Sequence, residues 1–139
     1  MARRSRGEQA EHDRVVCLVA QQRFPRETCR VVTNPGDERN HGLTYATTTG
    51  SRRTVYPDIV AVLEPGAKVV AVGEVETQST VTRAALRHWR TFARHARQFY
   101  LFVPLERAQV AKQLVEGIEN VRLRMYCCGP RESIVVNDV

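Results

Sequence analysis

The sequence predicts an α/β domain in which a central mixed β-sheet is flanked by helices. Segments with apolar residues at helical spacing alternate along the chain with segments rich in β-branched residues. Two neighbouring strand segments, 54–63 and 68–77, are apolar nearly throughout, which is typical of strands covered on both faces. The chain has 139 residues, a length that suits one hydrophobic core.

The first half of the chain opens with a helix at residues 8–22, where apolar residues recur at helical spacing until Pro25 breaks the run. β-Branched residues then predict a strand at 26–33. The polar, Gly- and Thr-rich stretch 34–53 is expected to be a long loop, functional or disordered, with a strand around 43–48. The hairpin of strands 54–63 and 68–77 follows, and its turn "EPGA" contains Pro and Gly.

The clearest helix lies at 79–98, with Ser79 or Thr80 as its N-cap. Its apolar residues step by three and four, and its arginines do the same, displaced by two residues, which is about 200° of helix. The two stripes therefore lie on opposite faces. We expect Trp89, Phe92 and Phe99 in the core, and Arg83, Arg87, Arg90 and Arg94 exposed.

The last part of the chain predicts a buried strand at 99–104 and a second long helix at 105–120. Alternation then predicts a strand at 121–128, and residues 132–136 predict a final edge strand. The expected order is α, β, (β), β, β, α, β, α, β.

The composition is that of an ordinary globular protein, with 42% hydrophobic and 26% charged residues. No stretch approaches the roughly 18 unbroken apolar residues of a membrane helix, and no signal-peptide core follows the basic start. We expect a cytoplasmic protein without a membrane partner. Residues 1–7 would form a frayed basic tail, and residues 8–139 a single domain.

Several classes of functional site are not expected, because the sequence lacks the motifs that characterise them. The chain has 4 cysteines but no CxxC pair and no His at zinc-ligand spacing from them. Cys17, Cys29, Cys127 and Cys128 are therefore expected to be buried free thiols. P-loop, dinucleotide and nucleophile-elbow patterns are absent from the sequence, so we expect no organic cofactor.

Three carboxylates interrupt the apolar hairpin. A turn centred near residues 65–66 places Asp58 opposite residue 73 or 74, and Glu74 and Glu76 share one strand face. Converging carboxylates repel one another and lose hydration, and a hard divalent cation with oxygen ligands removes both penalties. Such a cation can also activate water for attack at phosphorus. Solvated acids at strand ends, or pairing of Glu76 with an arginine of the next helix, are the alternative.

The stretch "YPDIVAVLEPGAKVVAVGEVETQS" resembles the signature of the PD-(D/E)XK nuclease superfamily, which has a restriction-endonuclease-like fold. In that signature a Pro-Asp pair opens one strand, and an acid–any–Lys triplet follows in the next. Pro57-Asp58 and Glu74-Val75-Glu76 stand at those places, separated by residues 59–73. The order of elements from Glu8 to Val103 also fits.

The resemblance implies an αβββαβ core and a metal-dependent endonuclease that hydrolyses DNA, or RNA, as a homodimer. Glu11, with Glu8 as second choice, would hold Mg²⁺ or Mn²⁺ together with Asp58 and Glu74. Glu76 and Gln78 would orient the attacking water and complete the catalytic set. Glu76 departs from the pattern, because most of the superfamily has Lys there. Some members with Glu at that place cleave, and others have lost catalysis.

The basic residues favour a polyanionic partner, because the net charge is +6 and residues 83–97 contain no acid. Phosphate contact is one interpretation of that arginine stripe, and a solvated helix face is the other. The predicted nucleic-acid-binding residues are Arg83, Arg87, Arg90, Arg94, Arg52 and Arg53. Two alternative functions remain open: a catalytically inactive nucleic-acid-binding or assembly module on the same fold, and an α/β interaction domain without a nucleic-acid role.

Overall fold

The structure, a computed structural model, describes residues 3–22, 24–25, 29–128 and 134–138. It has a six-stranded sheet and a separate two-stranded sheet. The elements are α1 (Arg6–Gln21), β1 (Arg30–Thr33), β2 (Leu43–Ala46), β3 (Arg52–Val55), β4 (Ile59–Leu63), β5 (Lys68–Val75), α2 (Leu86–His95), β6 (Phe99–Pro104), α3 (Ala108–Leu114), β7 (Val121–Cys128) and β8 (Ile134–Asp138).

The large sheet is mixed, as predicted. Its strand order is β1-β4-β5-β6-β7-β8. β4 is antiparallel to both β1 and β5, whereas β5, β6 and β7 are parallel to one another and β8 returns antiparallel at the edge. The hairpin of β4 and β5 therefore lies inside the sheet, and its strands are largely buried. The predicted α/β class with a mixed sheet flanked by helices is confirmed at this level.

Helices cover both faces of the sheet. Val15, Val16 and Val19 of α1 pack on one face, against a cluster that includes Ile59 and Phe102. On the other face a second cluster joins residues of α2, α3 and the two-stranded sheet, with Trp89 and Phe99 fully buried. Truncating either aromatic side chain to Ala is expected to cost about 3–5 kcal/mol.

The two stripes of the arginine-rich helix are confirmed. Trp89, Phe92 and Phe99 are buried, at 0%, 5% and 0% exposed. Arg83, Arg87, Arg90 and Arg94 are all exposed. The predicted core and surface residues are therefore correct, although Arg83 lies in the 3₁₀ turn before α2 and Phe99 in β6, outside the helix itself.

Residues 3–7, the described part of the predicted frayed tail 1–7, are structured at their end. Helix α1 begins at Arg6, because the Ser5 hydroxyl caps it by accepting a hydrogen bond of 3.2 Å from the Glu8 backbone N–H. Ser5 and Glu8 have the spacing of a capping box. Arg4, just before the cap, is hydrogen-bonded to the end of β5.

The predicted strand 54–63 is wrong as one element, because residues 56–58 separate β3 from β4. Pro57, which has no N–H to give to a ladder, lies in this break. β3 pairs instead with β2, from Leu43↔Val55 to Ala46↔Arg52. The stretch expected as a long loop therefore contains a small hairpin, and the strand expected at 43–48 is present as β2.

Both predicted long helices are shorter than expected. Residues 78–80 form a turn, and a 3₁₀ turn at Arg83–Ala85 precedes α2, so neither Ser79 nor Thr80 caps that helix. The second helix is a 3₁₀ turn, Leu105–Arg107, followed by the seven residues of α3. Strand 121–128 is confirmed as β7.

Three of the cysteines are free thiols in the structure, yet the prediction that they are buried is wrong for two of them. Cys17 and Cys127 are exposed, whereas Cys29 is half-buried and packs against the core cluster on the α1 face of the sheet. The side chain of Cys128 lies outside the described residues.

Parts of two predicted strands, 26–28 and 132–133, also lie outside the described residues. Within the part of the chain that is described, no helix has the length and apolar character needed to cross a membrane.

Candidate active site

The register of β4 and β5 brings Asp58 beside Glu74. Ile59 pairs with Gly73, so the residue before Ile59 meets the residue after Gly73, as predicted. The Asp58 backbone N–H donates to Glu74 Oε1 at 2.8 Å, and the Val75 N–H donates to Asp58 Oδ2 at 2.9 Å. Each carboxylate therefore accepts a hydrogen bond from a backbone N–H of the neighbouring segment.

An open cleft lies at this end of the hairpin, and we call it the acidic cleft. The residues that line it are Arg4, Asp58, Glu74, Glu76, Thr80, Thr82, Ala84, Ala85 and His88. All three predicted carboxylates are among them. Arg4 is the one lining residue with a permanent positive charge. The cleft therefore concentrates negative charge at the end of β5.

The electrostatics of the cleft favour retention of protons. Burial raises the pKa of Glu74 well above its usual value, and the charges of Asp58 and Glu76 raise it further. Glu76 is only 6% exposed. Burial raises its pKa to about 7, although a Thr80 hydrogen bond and the charge of Arg4 oppose that rise. Without a cation, Glu74 and Glu76 therefore hold a proton more strongly than an ordinary glutamate does.

His12, a residue of α1, contacts Asp58, one of the carboxylates that line the cleft. Its ring is 3% exposed, with Nε2 3.0 Å from Asp58 Oδ2 and Nδ1 3.0 Å from Asp13 Oδ1. Burial would lower the pKa of His12, but the hydrogen bond and charge of Asp58 outweigh burial and raise it. Both carboxylates can only accept, so the doubly protonated ring fits this position. His12 thereby fixes the orientation of Asp58.

The acid of α1 that reaches the end of β5 is Glu8. Its Oε2 accepts hydrogen bonds from the hydroxyls of Ser79 at 2.5 Å and Thr77 at 2.8 Å, and these bonds lower its pKa. Glu11, the first choice from the sequence, is half-buried on α1 and does not line the acidic cleft. The structure therefore brings the second choice, one helical turn before His12, to this end of the sheet.

Arg4 enters the cleft from the N-terminal segment. Its Nη2 donates to the Val75 carbonyl at 3.0 Å, and its Nε donates to Thr77 Oγ1 at 3.2 Å. The same Nη2 lies 3.9 Å from Glu76 Oε1. From the sequence, Arg4 is only one of several basic residues in a tail, 1–7, expected to be frayed, and it was not assigned to the site. The capping-box spacing of Ser5 and Glu8 is the signal that marks this segment as structured.

Asn34 positions the segment that carries Asp58. Its side chain is buried, at 5% exposed, and donates to the carbonyls of Pro57 at 2.7 Å and His41 at 2.8 Å. The Oδ1 atom of Asn34 accepts hydrogen bonds from the backbone N–H groups of Asn40 and His41. The backbone N–H of Asn34 donates to the Asp58 carbonyl. The residues "NPG" after β1 predict a turn from the sequence, but the sequence does not predict which groups Asn34 binds.

Gln78 does not join the cleft. β5 ends at Val75, so the two-residue alternation that would align Gln78 with Glu74 and Glu76 stops first. Gln78 is exposed in the following turn. The predicted role of Gln78 in orienting water finds no support in this position.

The three carboxylates of the cleft are oxygen donors of the kind that a hard cation prefers. Some of that capacity is already used, because Asp58 Oδ2 and Glu74 Oε1 accept protein hydrogen bonds. Among residues 3–22, 24–25, 29–128 and 134–138, no group of three or more His, Cys, Asp and Glu side chains is placed to hold a metal ion. The chemistry of the cleft fits Mg²⁺ or Mn²⁺, and a three-residue ligand group is not assembled.

The predicted nucleic-acid-binding residues divide into two groups. Arg83, Arg87, Arg90 and Arg94 form a set that we call the arginine face of α2, although Arg83 lies in the 3₁₀ turn just before the helix. Arg52 and Arg53 are exposed on β3 and point to opposite faces of the hairpin, because side chains alternate along a strand. Arg53 pairs with Tyr45, whose ring stacks on His95 of α2 with centroids 3.9 Å apart. The hairpin face that carries Arg53 is thus joined to α2.

Comparisons of the chain with protein-family models, with curated proteins and with solved structures found no match.

Proposed function

We propose that the protein is a divalent-metal-dependent nuclease of the PD-(D/E)XK type, with the acidic cleft as its active site. The observation that carries this proposal is the set of three carboxylates in one cleft, two of them with raised pKa values. Carboxyl groups with strongly perturbed pKa values in a cleft are a recognised feature of functional sites.

The chain's own groups have distinct roles in this proposal. Asp58 and Glu74 would hold Mg²⁺ or Mn²⁺, which supplies a Lewis acid for the phosphoryl group and lowers the pKa of bound water. Glu76 has a pKa of about 7, which suits a group that accepts a proton near neutral pH. His12 keeps Asp58 oriented, and Asn34 holds the segment before β4. Glu11 is not part of this ligand set, because it lies outside the cleft.

We propose DNA as the substrate, with RNA as the second possibility. The arginine face of α2 begins at Arg83, directly after the segment that contains Thr80 and Thr82, both of which line the cleft. Its four guanidinium groups are exposed and suited to phosphate contacts. A homodimer would let two clefts act on two strands, and we keep this assembly as part of the proposal.

The test is cleavage of plasmid DNA with Mn²⁺, with Mg²⁺ and with excess chelator. We expect cutting with either ion and none with chelator, and Asp58→Ala should abolish cutting while DNA binding persists. Arg30→Ala is the control, because Arg30 pairs with Val62 near the turn end of the hairpin, away from Asp58. Cutting that persists in chelator, or in Asp58→Ala, would overturn the proposal.

A second candidate function is a nucleic-acid-binding module without catalysis on the same fold. It is favoured by the hydrogen bonds that already occupy Asp58 Oδ2 and Glu74 Oε1. Calorimetry with Mn²⁺ separates the two candidates. Salt-dependent DNA binding with no Mn²⁺ binding and no cutting would establish the module and exclude the nuclease.

A further inference from the structure

We propose that Arg4 supplies the positive charge of the active site and contacts a phosphate of the substrate, so that the N-terminal segment is part of the acidic cleft. The inference rests on the proposed function and deepens it. It assigns a substrate-binding role to a residue outside the motif that led to the cleft.

The Arg4 guanidinium is held in place at the cleft wall. Nη2 is bonded to the Val75 carbonyl and Nε to the Thr77 hydroxyl, so two sides of the planar group are fixed on the end of β5. Within the part of the chain that the structure describes, Nη1 has no hydrogen-bond partner. An arginine presents its donors in a rigid fork that suits phosphate oxygens, and the Nη1 donors remain available for one.

A buried relay orients Arg4 from helix α1. Thr77 is fully buried, at 0% exposed. Its hydroxyl donates to Glu8 Oε2 at 2.8 Å and can then only accept from Arg4 Nε at 3.2 Å. Glu8, the acid of α1 at this end of the sheet, therefore acts through Thr77 on the direction of the guanidinium. A solvated tail arginine would have no such support.

The charges in the cleft create the need for a cation from the protein. A phosphodiester approaching Asp58, Glu74 and Glu76 meets like charge, and opposite charges a few ångströms apart interact strongly where water is limited. Glu76, the residue directly after β5, stands where the resembling family usually has Lys. Arg4 Nη2 lies 3.9 Å from Glu76 Oε1, so a positive group stands beside the position where the lysine is missing.

The first measurement is the salt dependence of binding to a short DNA duplex in excess chelator, where no cleavage is expected. Losing one phosphate contact lowers the slope of log K against log salt by about 0.9. We expect that loss in Arg4→Ala and an unchanged slope in Arg30→Ala, the matched loss of one charge. A slope in Arg4→Ala equal to that of the wild type would overturn the inference.

The second measurement is kcat with Mn²⁺ for the wild type, Arg4→Ala and Arg4→Lys. We expect kcat to fall about 100-fold in Arg4→Ala, the usual loss for one transition-state donor, and to recover at least tenfold in Arg4→Lys, which keeps the positive charge but not the guanidinium fork. A purely structural role of the guanidinium hydrogen bonds would leave kcat of Arg4→Lys as low as that of Arg4→Ala.

The outcomes separate the inference from the function on which it rests. If wild type and Arg4→Ala cut equally well, Arg4 has no such role and the nuclease proposal stands. If the wild type never cuts with any ion, the nuclease proposal falls, and the salt slope still decides whether Arg4 contacts phosphate.

Discussion

The acidic cleft carries negative groups that are largely buried, whereas the arginine face of α2 carries positive groups that are exposed to solvent. In the cleft, Glu76 is 6% exposed, and its neighbours help to determine whether Glu74 keeps its proton. On α2, the four arginines of the face are exposed, and in the described residues none of them forms an ion pair with a carboxylate. The charges of the acidic cleft therefore interact strongly with one another, whereas the arginines of the face are solvated individually.

This difference predicts how each region responds to substitution. A buried charge acts on its neighbours through a low dielectric, whereas an exposed charge is screened within about 10 Å at ordinary salt. Changes in the cleft should therefore alter chemistry and folding stability together. Changes on the arginine face should alter only the attraction of a polyanion.

Asp58→Asn should have the largest effect. The substitution keeps the shape of the side chain but removes the charge that faces His12 and the proposed cation, so we expect kcat with Mn²⁺ to fall by about 10³-fold. Steady-state cleavage at saturating DNA measures the loss. Arg87→Ala, on the arginine face, is the matched comparison and should leave kcat within about twofold. Comparable losses in the two variants would remove the distinction between the regions.

Glu76→Gln should stabilise the metal-free protein at alkaline pH. Because the pKa of Glu76 is raised from 4.5 to about 7, the folded state keeps a proton that the unfolded chain loses. Wild-type stability attributable to this proton is full below pH 4.5 and is lost as the pH rises to about 7. At pH 8 the variant should be more stable by about 3 kcal/mol.

Urea unfolding in chelator across this pH range measures the effect of Glu76→Gln. The control is Glu116→Gln, at an exposed glutamate, which should stay within about 0.5 kcal/mol of the wild type at every pH. A difference between Glu76→Gln and wild type that does not grow with pH would contradict the raised pKa.

Asn34→Ala should cost about 2 kcal/mol, because it leaves the carbonyls of Pro57 and His41 without their buried donor. Asn40→Ala removes an exposed amide from the same loop and should cost less than about 1 kcal/mol. Denaturant unfolding of the two variants makes the comparison. Equal costs would show that Asn34 does not anchor the segment before Asp58.

The sequence predicted what depends on local periodicity. The two stripes of α2 followed from the helical repeat, which is why Trp89 and Arg90 were assigned to opposite environments correctly. The position of Asp58 beside Glu74 followed from the turn at Pro65-Gly66 and the two-residue period of a strand. Each of these needs only neighbours in sequence and one known turn.

What the sequence did not predict depends on contacts between distant segments. Arg4 and Thr77 are 73 residues apart, and His12 and Asp58 are 46 apart, so no local pattern reveals their hydrogen bonds. α2 starts later than predicted because residues 76–82 are used to contact Glu8 and Arg4 and to line the cleft. β5 likewise ends at Val75, where these tertiary contacts begin, so Gln78 lies beyond the strand and outside the cleft.

The smallest effect is expected from single substitutions on the arginine face. Arg87 is exposed on α2, so Arg87→Ala should change the free energy of unfolding by no more than about 0.5 kcal/mol. Loss of Arg87 should weaken binding to all duplexes alike, because phosphate contacts carry no sequence information. It should also reduce the slope of log K against log salt by about 0.9, the value for one phosphate contact. Filter binding at several salt concentrations measures the slope.

The four arginines of the face can then be removed in steps. If they contact phosphates independently, the slope should fall by about 0.9 with each Ala substitution, while kcat at saturating DNA stays constant. Arg30→Ala again controls for the loss of one charge far from the face. A slope that stays at the wild-type value after all four substitutions would show that α2 is a solvated helix face. The positive charge that meets the substrate would then come from the cleft itself, where Arg4 is the group that the structure provides.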